Sequence, residues 1–107
     1  MRGKKKNRLP PFVFITKEML NSDAFKELTN ASRIAYLLLQ AQICKSEQTT
    51  VKFPYLQAVE YMDKQTFTRS IRQLVESGFV KKEQEGGLFR RTNVYTFTDY
   101  WRQFKKQ

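Results

Sequence analysis

Histidine is absent from this chain. Its absence excludes His-ligated zinc sites and every Ser-His or Cys-His catalytic arrangement. Cysteine occurs once, at Cys44, so no internal disulfide and no C-x-x-C pair exists. Acidic residues are scarce: ten Asp and Glu stand against twenty Lys and Arg, a net charge of +10. No stretch approaches the ~18 apolar residues of a membrane span. The longest apolar run, around residues 35–39, has the length of a buried helix segment. The basic start runs straight into Pro10-Pro11 without the apolar region of a signal peptide. Together these absences predict a soluble, cytoplasmic protein in a reducing compartment.

What is present suffices for one folded unit. The chain has 107 residues, of which 40% are hydrophobic and 14% aromatic. That is one small domain with enough apolar mass for a core, not a disordered chain. A surplus of this size predicts attraction to a polyanion. The surplus is uneven: residues 1–8 (MRGKKKNR) carry +5, residues 9–53 carry +1 and residues 54–107 carry +4. The first eight residues have nothing apolar to bury. They read as a disordered basic tail ahead of a domain spanning 9–107. Lys4, Lys5 and Lys6 either solvate that tail or lie along a phosphate backbone or minor groove.

Periodicity and turn signals give the order of elements. Residues 12–16 (FVFIT) are a β-prone run. Residues 19–28 hold one or two short helical turns, with Asn21 or Ser22 as cap. Residues 31–44 are apolar nearly all round and predict a central helix capped by Thr29, with Cys44 a small core residue near its end. Residues 50–53 form a short strand. Pro54 then opens a helix to about residue 61, with Leu56 and Val59 turned inward. After a turn at 62–64, a second helix covers 65–77, and Gly78 stands where a left-handed C-terminal cap belongs. Residues 79–85 and 88–97 read as a hairpin around Gly86-Gly87. A last short helix brings Tyr100, Trp101 and Phe104 back onto the core beside Phe12 and Phe14, or else into a dimer interface.

The helix over 65–77 is sharply two-sided. At ~100° per residue, Phe67, Ile71, Leu74 and Val75 share one sector, while Gln65, Thr68, Arg69, Arg72 and Glu76 share the opposite one. The polar sector is basic apart from Glu76. Arg pairs bidentately with guanine, Gln with adenine, and Thr meets a thymine methyl. Most polar helix faces are merely wet, but here the basic side chains cluster near the start, where a groove-reading helix enters DNA. Lys64 and Thr66 adjoin them. On the hairpin, a two-residue Gly86-Gly87 turn sets Lys82 opposite Arg91 and Glu83 opposite Arg90. Arg90, Arg91 and Asn93 are the candidate wing contacts. The ten carboxylates are scattered, and the Gly pair lacks the rest of a phosphate loop. The sequence thus predicts neither catalysis, metal nor cofactor, and no small-molecule substrate.

The segments FVFITKEML, LTNASRIAYLLLQ and TFTRSIRQLVESGFV and the Gly-turned hairpin ending NVYTF resemble a known family. It is the winged helix-turn-helix DNA-binding domain, as in replication initiator and replisome organiser proteins and transcription regulators of plasmids, phages and integrative elements. The likeness covers about nine-tenths of the chain. It implies an α+β fold: a three-helix core, a C-terminal β-hairpin wing, and short extra elements at each end. It also implies sequence- or structure-specific binding of double-stranded DNA, with helix 65–77 in the major groove. The implied role is replication initiation or transcriptional control of a mobile element. A homodimer or a replication or transcription protein is the further partner. Two rivals are a protein-interaction module that uses the scaffold without DNA readout, and RNA binding, against which the expected burial of the aromatics speaks.

Overall fold

The computed structural model describes residues 12–43, 48–84 and 93–104. Three helices open the fold: α1 (Lys17–Leu20), α2 (Asp23–Glu27) and α3 (Asn30–Gln40). Each begins where a hydroxyl supplies the missing acceptor. Thr16, Ser22 and Thr29 accept from the N–H groups of Met19, Phe25 and Ser32, and each such cap contributes about 1 kcal/mol. Strand β1 (Thr50–Lys52) and a single 3-10 turn, Tyr55–Ala58, lead to α4 (Lys64–Glu76). Strands β2 (Val80–Gln84) and β3 (Val94–Phe97) and a last 3-10 turn, Tyr100–Gln103, complete the chain. The sheet is antiparallel in the order β1-β3-β2. Helices α3 and α4 pack against each other under this sheet. The architecture is α+β and matches the winged helix-turn-helix plan.

The core is centred on Phe79, the first residue after the α4 cap. Edge-on rings of Phe25 and Tyr36 and the parallel ring of Trp101, centroid 6.0 Å away, surround it. Gly78 places it there. With φ of +88°, Gly78 lets its own N–H reach the Val75 carbonyl and the Phe79 N–H reach that of Leu74. This double bond pattern is a Schellman cap, and its usual apolar contact joins Leu74 to Phe79. The Gly78 carbonyl in turn accepts from the Thr98 hydroxyl at 2.6 Å and the Trp101 N–H at 3.1 Å. The helix end is thereby tied to the last segment of the chain. Among the described residues no helix is long and apolar enough to cross a membrane.

Several elements differ from expectation, each for a tertiary reason. Residues 12–16 form no strand: the sheet is completed by β1, β3 and β2 without them, and β propensity is realised only where tertiary context pairs the segment. Phe12 and Phe14 are 64% and 59% exposed and touch each other, not the core. Trp101 and Phe104 do fold back, but Tyr100 stays exposed. The segment after Pro54 is one 3-10 turn. Three residues per turn set Tyr55 and Ala58 inward and eclipse Leu56 with Val59 outward, leaving those two 75% and 53% exposed. Helix α3 ends at Gln40, and Ile34 on it is exposed, so it is not apolar-buried all round. Val75 lies at the boundary of α4 rather than inside. Cys44 lies outside the described residues.

The hairpin register is also corrected. Val80 faces Phe97, Lys81 faces Thr96 and Lys82 faces Tyr95, with a bulge between Lys82 and Gln84. Lys82 therefore does not stand opposite Arg91, and the expected Gly86-Gly87 turn lies outside the described residues. Hydrophobic pairing decides the register: Val80 and Tyr95 are fully buried and Phe97 packs beside them. A slip that satisfied the local turn would set Val80 against Asn93.

Candidate nucleic-acid interface

Helix α4 carries the candidate face. Its inner side buries Phe67, Ser70, Ile71 and Leu74. On the outer side Lys64, Gln65, Thr68, Arg69 and Arg72 are exposed and line one shallow concavity. Neither Arg69 nor Arg72 forms an ion pair among the described residues, so both guanidinium forks face solvent. The sequence arithmetic of this helix is thus reproduced in space, one residue earlier at each end than expected.

Asp63 sets where the helix starts. Its carboxylate accepts the Thr66 N–H at 2.7 Å. That backbone bond, then the Thr66 hydroxyl and the nearby Arg69 charge, hold the carboxyl below its ordinary value of 3.8, against a small opposing effect of burial. Thr66 is therefore half-buried and turned to its cap. It stands on the α3 side of the helix, where it lines a concavity with Arg69, Arg72 and Gln73.

Between α4 and the sheet runs a cleft of about 480 Å³, with Phe67, Ile71 and Tyr95 as its floor. Lys64 and Arg72 stand on its helix side, and Lys82 and Asn93 on its sheet side. Asn93 donates from Nδ2 to the Tyr95 hydroxyl at 3.1 Å, and its carbonyl accepts the Phe53 N–H. The observed register turns Lys82 to the α4 side of the sheet, the same side as Tyr95. Arg90, Arg91, Lys4, Lys5 and Lys6 lie outside the described residues.

Two other basic residues are occupied by the fold. Arg33 donates to the carbonyls of Phe25 and Lys26 and lies over the Phe25 ring, closing the end of α2. Arg102 pairs with Glu18 and stacks over Trp101 at 4.7 Å.

No protein family matches the chain, and no curated protein does. A solved structure described as the N-terminal domain of a DNA binding protein superposes on it with a TM-score of 0.60 and 20% sequence identity. The match covers 90% of this chain and 78% of that one. At this identity the likeness is one of fold.

Proposed function

We propose that the domain binds double-stranded DNA without chemistry, with α4 in the major groove. The observation that carries this reading is the outer face of α4. Lys64, Gln65, Thr68, Arg69 and Arg72 project from a helix whose other side is locked in the core, and neither arginine forms a close ion pair among the described residues, Arg69 having only the exposed Asp63 as an acidic neighbour. Arg69, Arg72, Gln65 and Thr68 supply base contacts; Lys64 supplies a phosphate contact. Lys82 and Asn93, across the cleft, lie along the same flank, where the wing would follow the backbone. Arg90, Arg91 and the basic tail add further charge. The described DNA-binding neighbour supports the same reading through shared fold. The role we propose is replication initiation or transcriptional control of a mobile element.

The test is binding, at two salt concentrations, to random duplex DNA and to a duplex selected from a random pool by the wild type, for wild type and Arg69→Ala/Arg72→Ala. Strong salt dependence is expected on both duplexes, and at least a tenfold loss in the double variant on the selected one, since each bidentate base pairing is worth ~1–3 kcal/mol. No binding at low salt, or indifference to the substitutions, overturns the reading. It would favour a protein partner, for which the exposed Leu56, Val59 and Tyr61 are a ready surface.

A further inference from the structure

The residue that fixes the reading helix in place is not on its outer face. Gln73, on α4, reaches across to both neighbouring helices. Its Oε1 accepts the Thr29 N–H at 3.0 Å and the Ser32 hydroxyl at 2.5 Å. Its Nε2 donates to the Glu27 carbonyl at 3.2 Å. One amide thus uses three of its four hydrogen-bonding positions. Its oxygen meets two donors and its nitrogen meets a carbonyl, as the chemistry of each requires.

Two of the three partners, the Thr29 N–H and the Glu27 carbonyl, are backbone groups at helix ends. In a capping box, the third helical residue returns a Glu or Gln side chain to the N–H of the capping residue. In α3 that position is Ser32, whose side chain is too short to return. Gln73 takes the Thr29 N–H instead, from a different helix, and Ser32 donates to Gln73. At the other end of the clamp, α2 leaves its last carbonyls open. Arg33 closes those of Phe25 and Lys26, and Gln73 closes that of Glu27.

We infer that Gln73 is a positioning residue that sets the rotation of α4 about its own axis and thereby the base readout of the proposed DNA site. The inference rests on the DNA-binding reading for its functional half. On the helix wheel Gln73 stands ~20° from Thr66 and ~40° from Arg69, at ~100° per residue. A clamp here holds the stripe adjoining the outer face. Side-chain atoms lie ~5–6 Å from the helix axis. Release of the clamp by a rotation of ~20° therefore moves them about 2 Å. Bidentate hydrogen bonds tolerate far less, because their lengths span ~2.7–3.2 Å. Phosphate attraction, being long-ranged, barely changes.

The test compares wild type with Gln73→Met, which keeps length and removes all three bonds, and Gln73→Glu, which keeps the acceptors and removes the donor. An oligonucleotide is first selected from a random pool by the wild-type protein. The Met variant is expected to lose about tenfold in the ratio of selected to random duplex affinity, the order of one bidentate base contact. Affinity for random duplex should change less than about twofold, and Gln73→Glu should fall between. An unchanged ratio with a lowered Tm makes Gln73 only a stabilising residue and overturns the inference. The α3–α4 angle of the free variants, from residual dipolar couplings, is the second readout. A shift of about 10° or more in Gln73→Met is expected, and an unchanged angle overturns the clamp. If wild type selects no sequence, the base-readout part of the DNA-binding reading fails, and the angle alone decides the clamp.

Discussion

Gly78 is the residue on which the order of the last third of the chain depends. Its φ of +88° is a conformation that L side chains rarely adopt, and an added Cβ would come within 2.6 Å of the Trp101 nitrogen and 2.7 Å of the Tyr100 carbonyl carbon. Both are backbone atoms, so a rotamer change gives no relief. Left-handed backbone alone costs roughly 1–2 kcal/mol for a residue with a Cβ. The clash must also displace the final 3-10 turn and with it the Trp101 ring stacked on Phe79. Gly78→Ala is therefore expected to cost at least about 2 kcal/mol, or about 10 °C in Tm for a domain of this size. Thermal denaturation followed by Trp101 fluorescence checks it, and a loss under ~1 kcal/mol would show that the C-terminal turn yields freely. The glycine was legible in the sequence because a Schellman cap is local. Gln73 was not, because its partners lie 41 to 46 residues away and nothing nearby distinguishes it from any half-buried glutamine.

The same division between local and distant causes governs the elements. Caps of the first helices announce themselves: Thr29, and Ser22 of the two candidates, each accept an N–H three residues on, whereas Asp63, read as part of the turn at 62–64, caps α4 in the same way. The inner and outer sides of α4 were legible because 3.6-residue periodicity is a property of one helix. The 3-10 turn after Pro54 was not, since Leu56 and Val59 offer the pattern of an inward helix face and only the crowded Tyr55–Phe67 contact shows which side packs. The strand register misled in the same way, pairing counted from a local turn signal differing from the one in which Val80 and Tyr95 are buried. Asp63 carries the testable consequence at this scale. Its pKa is lower folded than unfolded, so its charged form stabilises the fold above the ordinary 3.8, and that contribution is lost as pH falls through the lower folded value. Asparagine caps as well when neutral but offers no charge to the helix N-terminus or to Arg69. Wild type is thus expected to melt above Asp63→Asn at pH 7, with the gap closing in acid below about pH 4. Melting curves of both proteins across that range decide it, and a gap constant with pH would rule out the charge as its origin.

For the whole molecule, the decisive quantity is how its charge is divided between the fold and a polyanion. Within the described residues the internal ion pairs are few and lie at the surface, such as Arg102 with Glu18 and Lys81 with Glu83. Pairs of that kind are worth about 0–1 kcal/mol, and they join charges that already cancel in the sum, so the whole net +10 is left for an external polyanion. If about five cations engage phosphates, the slope of log K against log salt should be roughly −4.5, and raising salt from 50 to 200 mM should weaken binding roughly 500-fold. The slope also separates the duties of the two arginines. A residue on a phosphate takes about one unit of slope with it when removed, whereas a residue on a base edge lowers affinity and discrimination with little change in slope. With Arg69 and Arg72 reading bases, Arg69→Ala/Arg72→Ala should keep most of the wild-type slope while losing preference for the selected sequence. Lys82→Ala should do the reverse. A wild-type slope shallower than about −2 would mean that this charge serves solubility rather than a nucleic acid.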